Sequence, residues 1–155
     1  SYEGLAWLTG TAVMLGGAWP GPYSLALALL YSVGAHGIMT LNDFKAIEGD
    51  RRMGIASLPV QLGERLAALV ACTLMLLAQA AVTLLLAFWQ LPWHAAAVMA
   101  LALAQLPLMV KFLRQPVERA LHVSAFGVPL FVSGMMVSAW GLRQLQPVQQ
   151  LLEAL

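Results

Sequence analysis

The sequence predicts an all-α membrane protein, a polytopic bundle of about five transmembrane helices. Three observations lead to this prediction. The 155 residues are 61% hydrophobic and only 10% charged, whereas soluble domains usually carry about 25% charged residues. Several apolar stretches approach the roughly 20 residues that a membrane-spanning helix needs. The charged residues also concentrate in a single segment. We therefore expect one transmembrane domain over residues 1–155, with the lipid bilayer as its solvent.

The expected spans follow one another with short breaks. The first runs from Leu5 to Trp19 and is short and glycine-rich, and the Pro20-Gly21-Pro22 sequence after it indicates a tight turn. The other four spans are expected at residues 23–39, 66–89, 93–112 and 123–142. A polar segment, residues 40–65, separates the second span from the third.

The basic residues predict an orientation. If residues 40–65 are cytoplasmic, the loop around residues 114–119 is cytoplasmic too. Seven of the eight Lys and Arg residues then lie inside, and Arg143 alone lies outside. This asymmetry is typical of membrane proteins that obey the positive-inside rule. Four tryptophans fall near the predicted outer ends of spans, as expected for an aromatic belt: Trp19, Trp89, Trp93 and Trp140.

Three carboxylates, Asp43, Glu48 and Asp50, fall within eight residues of the polar segment. If this stretch is one helix, Asp43 and Asp50 share a face two turns apart, and Asn42 adds an oxygen ligand. Magnesium prefers oxygen ligands and commonly binds through one or two carboxylates plus substrate phosphates. The spacing therefore predicts a magnesium site. The plainer alternative is a solvated loop whose charges neutralise one another.

The basic side chains of the same segment extend this prediction. Lys45, Arg51 and Arg52 could meet phosphate charge that a metal leaves unbalanced. An isoprenoid diphosphate suits such a protein, because its apolar tail fits a helix bundle and its charged head fits the rim. The net charge of only +1 argues against a nucleic-acid partner.

The order of residues from Ile38 to Gly63 resembles a known motif. The residues that carry the resemblance are Asn42-Asp43-Phe44-Lys45, Glu48-Gly49-Asp50-Arg51, Gly54-Ile55, Ser57-Leu58-Pro59-Val60 and Leu62-Gly63. They resemble the second aspartate-rich motif of the UbiA superfamily of intramembrane prenyltransferases. Within that superfamily the sequence is most similar to the chlorophyll and bacteriochlorophyll synthases.

This resemblance implies an all-helical fold of nine spans in which two aspartate-rich motifs bind a prenyl diphosphate through Mg²⁺. It implies catalytic roles for Asp43 and Asp50, and metal binding by both together with Glu48. Asn42, Lys45 and Arg51 would contact the substrate. The implied reaction esterifies the propionate of chlorophyllide or bacteriochlorophyllide with a geranylgeranyl or phytyl group. The implied location is a bacterial inner or photosynthetic membrane, with the rim of the site on the cytoplasmic side.

Two departures from the family pattern stand out. Ala46 occupies a position where many members carry a further aspartate, which agrees with the chlorophyll-synthase branch. The first aspartate-rich motif is absent, and about five spans replace nine. We therefore expect the chain to be the C-terminal portion of such an enzyme, inactive without an N-terminal half that carries the first motif.

Two residues of the second span are further candidates for substrate binding. Tyr31 is a candidate for lining the prenyl cavity, although packing explains it equally well. His36 lies seven residues before Asp43 and so on its helical side. It is a candidate for touching the substrate or ligating the magnesium of a chlorin, and the plainer alternative is a histidine that hydrogen-bonds within the bundle.

Three other functions remain open at this point. A related enzyme could prenylate a quinone precursor, at a ring carbon rather than a carboxylate. A non-catalytic membrane subunit could bind pigment or isoprenoid without transferring anything. A transporter or channel component would carry polar residues along several spans, whereas here they concentrate at one membrane face.

Overall fold

The computed structural model describes the backbone of residues 2–153 and the side chains of residues 4–145. These residues form helices and their connections, with no strand among residues 2–153. The elements are α1 (Tyr2–Met14), α2 (Pro22–Asp43), α3 (Ile47–Met53), α4 (Leu58–Leu62), α5 (Glu64–Phe88), α6 (Pro92–Arg114), α7 (Pro116–His122), a π-helical turn (Val123–Gly127) and α8 (Val128–Glu153).

Four helices are long and apolar enough to cross a membrane: α2, α5, α6 and the continuous stretch Pro116–Leu145. They correspond to the last four predicted spans. The first expected span is shorter, because α1 ends at Met14 and has only 13 residues. At 1.5 Å per residue it is roughly 20 Å long, less than the roughly 30 Å of a hydrocarbon core. The predicted bundle of about five spans is thus confirmed as four spanning helices and one shorter apolar helix.

Helix α5 is the centre of the bundle. It packs against α2 on one side and α6 on the other, and α8 lies mainly against α6 while also touching α5 and α2. The contact between α2 and α5 is close because Gly37 has no side chain. A Cβ atom at Gly37 would lie 2.5 Å from the carbonyl oxygen of Ala71 and 2.7 Å from Cγ of Met75. Small residues of this kind allow membrane helices to pack backbone to backbone.

Polar side chains join the helices inside the bundle. The hydroxyl of Tyr31 on α2 lies 2.7 Å from the Ser138 hydroxyl on α8, which donates to the Gly134 carbonyl at 2.9 Å. The Gln105 amide of α6 donates to the Gln79 side-chain oxygen of α5 at 3.0 Å. Because hydrocarbon offers no competing partner, these bonds fix the register of α2, α5, α6 and α8.

Candidate functional site

The candidate site begins at the end of the second helix. Asp43 is the last residue of α2 and is partly buried. Its side chain lines a pocket of about 300 Å³ that lies between α2, α4 and α5. The residues that line this pocket are His36, Met39, Thr40, Asp43, Leu58, Val70 and Leu74. We call it the α2 pocket. Its wall is mainly apolar, and its carboxylate lies where the spanning helix gives way to the polar segment.

The prediction that Asp43 and Asp50 share one helical face is wrong. Helix α2 ends at Asp43, and α3 begins only at Ile47. The turn between them buries Phe44, which is 3% exposed and meets the ring of Phe112 edge to face with a centroid separation of 5.1 Å. Because this contact buries Phe44 in the core, the chain turns away from the axis of α2 after Asp43.

The two aspartates nevertheless come together. Asp50 is buried in α3, with 8% of its surface exposed, and its negative charge acts on Asp43 in addition to the burial of Asp43 itself. In the described part of the chain, neither carboxylate forms a salt bridge. Two adjacent negative charges at the edge of a membrane are costly unless a cation neutralises them. The turn after α2 therefore leaves Asp43 and Asp50 on different helices at the same polar edge, and a cation shared between them stays a prediction.

Glu48 does not join this pair. Its side chain is 67% exposed and accepts a hydrogen bond from Nε of Arg52 at 3.0 Å, with Arg51 at 3.9 Å. Among the described residues, no three His, Cys, Asp or Glu side chains are grouped to hold a metal. Two carboxylates with substrate phosphates still match the way Mg²⁺ is usually bound. The carboxylates of Asp43 and Asp50 are chemically suited to Mg²⁺, and the ligand roles predicted for Asp43, Glu48 and Asp50 all stay predictions.

The predicted diphosphate-binding residues lie around the same polar edge without converging on the α2 pocket. Lys45 is exposed and its amine donates to the side-chain oxygen of Asn42 at 3.4 Å. Arg51 lines a separate open groove of about 480 Å³, together with Glu64 and Arg65 at the start of α5. Both the groove and the α2 pocket adjoin α4, and the diphosphate-binding roles of Asn42, Lys45 and Arg51 stay predictions.

The two candidates within α2 differ in their surroundings. Tyr31 is completely buried, stacks on Trp7 and meets Phe131 edge to face, and its hydroxyl is hydrogen-bonded to Ser138. These contacts favour the packing interpretation of Tyr31. His36 is exposed and lines the α2 pocket together with Asp43. Its position therefore matches a residue that could touch a bound molecule.

Two residues near this site have no role predicted from the sequence. Thr40 lines the α2 pocket, and its position three residues before Asp43 on a helix was the available signal. Ser57 precedes α4, and its hydroxyl has no hydrogen-bond partner among the described residues although the oxygen is buried. Ser57 adjoins Leu58, which lines the pocket. No spacing rule predicts this hydroxyl, because a helix cap would ordinarily satisfy it.

The fold defines a class: a polytopic α-helical membrane protein with a carboxylate at the end of a spanning helix. Sequence comparison gives the family. Residues 4–142 match the UbiA prenyltransferase family, and the chain belongs to it.

Several relatives are similar over nearly all of the chain. The bacteriochlorophyll synthase 33 kDa chain of Cereibacter sphaeroides is 52% identical over 94% of this chain and 48% of its own length. The 34 kDa chain of Chloroflexus aurantiacus is 46% identical over 92% of this chain and 45% of its own. The chloroplastic chlorophyll synthase of Oryza sativa is 35% identical over 90% of this chain and 36% of its own length. The chain thus spans about half the length of the bacterial relatives. No solved structure gives a significant match.

Proposed function

We propose that the protein is part of an intramembrane prenyltransferase that esterifies the propionate of bacteriochlorophyllide or chlorophyllide. The donor is geranylgeranyl or phytyl diphosphate. The relatives named as bacteriochlorophyll and chlorophyll synthases support this acceptor class. The proposal rests mainly on Asp43 and Asp50, which lie at the edge of an apolar helix bundle. Neither carboxylate forms a salt bridge with a basic side chain of the described residues.

In this proposal Asp43 and Asp50 hold Mg²⁺, and Glu48 supplies a further oxygen if its arginine partners release it. When bound, the metal neutralises the diphosphate as a leaving group. Asn42, Lys45 and Arg51 contact the remaining phosphate oxygens. A propionate oxygen forms a bond to the first carbon of the prenyl chain while the carbon–oxygen bond to diphosphate breaks, and the electron pair leaves with diphosphate. A carboxylate is already ionised at neutral pH, so the reaction requires no general base.

The 155 residues act in this proposal as a single transmembrane domain that supplies one side of the site. The remaining carboxylates come from an N-terminal half-enzyme that carries a first aspartate-rich motif. Two observations support this part: the chain spans about half the length of its bacterial relatives, and no group of three potential metal ligands forms among the described residues.

We place residues 40–65 at the cytoplasmic face of a bacterial inner or photosynthetic membrane. Seven of eight basic residues lie on that side in the predicted topology. The exposure of Trp19, Trp93 and Trp140, at 81%, 84% and 64%, supports an interfacial belt at the opposite face. The α2 pocket then opens toward the cytoplasmic rim.

The test is a prenyl-transfer assay in detergent with bacteriochlorophyllide or chlorophyllide, geranylgeranyl diphosphate and Mg²⁺, and with a chelator control. The chain is assayed alone and as the completed protein, which means co-expressed with the N-terminal half of the Cereibacter relative. We expect magnesium-dependent ester from the completed protein. Product on a quinone precursor instead would establish an aromatic prenyltransferase. A folded completed protein that binds pigment or isoprenoid but forms no ester would establish a non-catalytic binding subunit.

A further inference from the structure

A groove beside α4 presents basic side chains outside the α2 pocket. This open groove of about 480 Å³ is lined by Arg51 of α3 and by Glu64 and Arg65 at the start of α5. None of the residues that line it also lines the α2 pocket. We call it the arginine groove. It is a separate site at the same polar edge, and the proposed reaction gives Arg65 no role.

The protein leaves the arginine groove with an excess of positive charge. Arg65 is exposed and forms no salt bridge within the described part of the chain. Arg51 lies 3.9 Å from Glu48, whose carboxylate is engaged more closely by Arg52 at 3.0 Å. Two arginines and one carboxylate, Glu64, line the groove. The first turn of α5 lines it as well, and the positive end of the helix dipole adds to the excess. The groove therefore attracts an anion.

The position of the groove restricts the kind of anion. Arg65 is the second residue of α5, whose 25 residues extend roughly 38 Å, whereas a hydrocarbon core is roughly 30 Å thick. Arg65 therefore lies at the depth of the lipid headgroups. Leu66 also lines the groove, and it begins an exposed apolar stripe that continues along the same face of α5 at Leu69, Leu77 and Leu84. A positive groove that continues into an apolar stripe matches an anionic amphiphile.

We propose that the arginine groove binds the headgroup phosphate of an anionic phospholipid, with an acyl chain along the apolar stripe of α5. The guanidinium groups of Arg65 and Arg51 donate to the phosphate oxygens, since arginine holds phosphate in a fork of hydrogen bonds. Free diphosphate shares this chemistry, but only a lipid also covers Leu66. The bound lipid joins α3 to α5 and so fixes the polar segment at the membrane surface. This inference goes beyond the proposed function and does not depend on it.

The test measures lipid binding rather than turnover. The completed protein is stripped of lipid in a neutral detergent and titrated with phosphatidylglycerol, or with phosphatidylcholine that carries the same acyl chains. Native mass spectrometry counts the bound molecules and gives the dissociation constants. The variants are Arg65→Gln and the matched control Arg143→Gln, which removes another exposed arginine outside the groove. Wild type and Arg143→Gln should bind one phosphatidylglycerol at least about fivefold more tightly than phosphatidylcholine.

Arg65→Gln should weaken phosphatidylglycerol binding about fivefold, which corresponds to the roughly 1 kcal/mol that one basic residue contributes near an anionic membrane surface. Its binding of phosphatidylcholine should stay unchanged, which shows that the fold is intact. Glu64→Gln removes the carboxylate from the same groove and should tighten phosphatidylglycerol binding. This second variant tests the site with the opposite sign, so the test does not depend on the folding of Arg65→Gln.

Two results would overturn the lipid site. The first is equal phosphatidylglycerol binding by wild type, Arg65→Gln and Glu64→Gln. The second comes from a lipid-free arm in which inorganic diphosphate is titrated into the same proteins. Diphosphate binding that Arg65→Gln abolishes, together with no preference for phosphatidylglycerol over phosphatidylcholine, would assign the groove to a free phosphate instead. Neither result touches the proposed prenyl transfer, because the transfer assay does not use Arg65.

Discussion

The ring of Phe44 meets the ring of Phe112 edge to face, with centroids 5.1 Å apart and planes inclined at 73°. This contact joins the turn after α2 to the cytoplasmic end of α6 in the proposed topology. It involves the residue next to Asp43 and anchors the turn that connects α2 to α3. The position of the carboxylate pair therefore depends on an aromatic contact made outside the site.

Phe44→Ala should lower the thermal stability of the protein in detergent and weaken magnesium binding. The ring is 3% exposed, and an edge-to-face pair contributes about 1 kcal/mol beyond its buried area. Thermal unfolding with and without Mg²⁺ measures both effects. Phe88→Ala is the matched control, because that ring is 80% exposed. Equal melting temperatures for the two variants would contradict a structural role for Phe44.

Asp43→Asn and Asp50→Asn should each abolish prenyl transfer by the completed protein while leaving insertion and folding intact. Each substitution removes one negative charge from the pair that we assign to Mg²⁺. The measurement is ester formation as a function of magnesium concentration. Glu64→Gln, at the same polar edge but in the separate groove, serves as control. Wild-type turnover in either asparagine variant would disprove the metal assignment.

Glu48→Gln should reduce activity less than Asp50→Asn does. Its carboxylate is 67% exposed and paired with arginines on its own helix, and such surface ion pairs contribute only about 0–1 kcal/mol. Stability should therefore change little. Parallel assays of Glu48→Gln and Asp50→Asn decide the matter, and an equal loss of activity would make Glu48 a full metal ligand.

Gly37→Ala should destabilise the protein by about 1–3 kcal/mol, the usual cost of overpacking. The added methyl group would meet the Ala71 carbonyl and Met75, which forces α2 away from α5. Gly10→Ala is the control, because its methyl group would meet nothing within 4 Å. Unfolding in detergent and denaturant gives the comparison. A Gly37→Ala protein as stable as Gly10→Ala would show that α2 and α5 are not held so closely.

Tyr31→Phe should cost about 0.6 kcal/mol of stability, as is typical for a hydrogen bond between membrane helices. It should leave affinity for the prenyl diphosphate unchanged, because the hydroxyl is bound to Ser138 and the ring is fully buried. Ser138→Ala should match its effect on stability. A selective loss of diphosphate affinity in Tyr31→Phe would instead support the predicted role in substrate binding.

The sequence allowed the helical bundle to be predicted because long apolar stretches and their breaks are local features. Helices α5 and α6 lie within a few residues of the predicted spans. The break after Asp43 could not be predicted, because the spacing of Asp43 and Asp50 is compatible with one helix. The cause is the burial of Phe44 against Phe112, a residue of a different span. The exposure of His36 likewise depends on which face of α2 meets α5.

The helix break between Asp43 and Asp50 changes what a bound cation does mechanically. On one continuous helix, a cation would bind to a rigid rod and alter nothing else. Here the two carboxylates belong to α2 and α3, which meet through a three-residue turn. A cation held by both carboxylates would cross-link a spanning helix to a surface helix. The binding free energy of that cation would also stabilise the packing of α3 against the bundle. Cation binding and the position of α3 would therefore be thermodynamically linked.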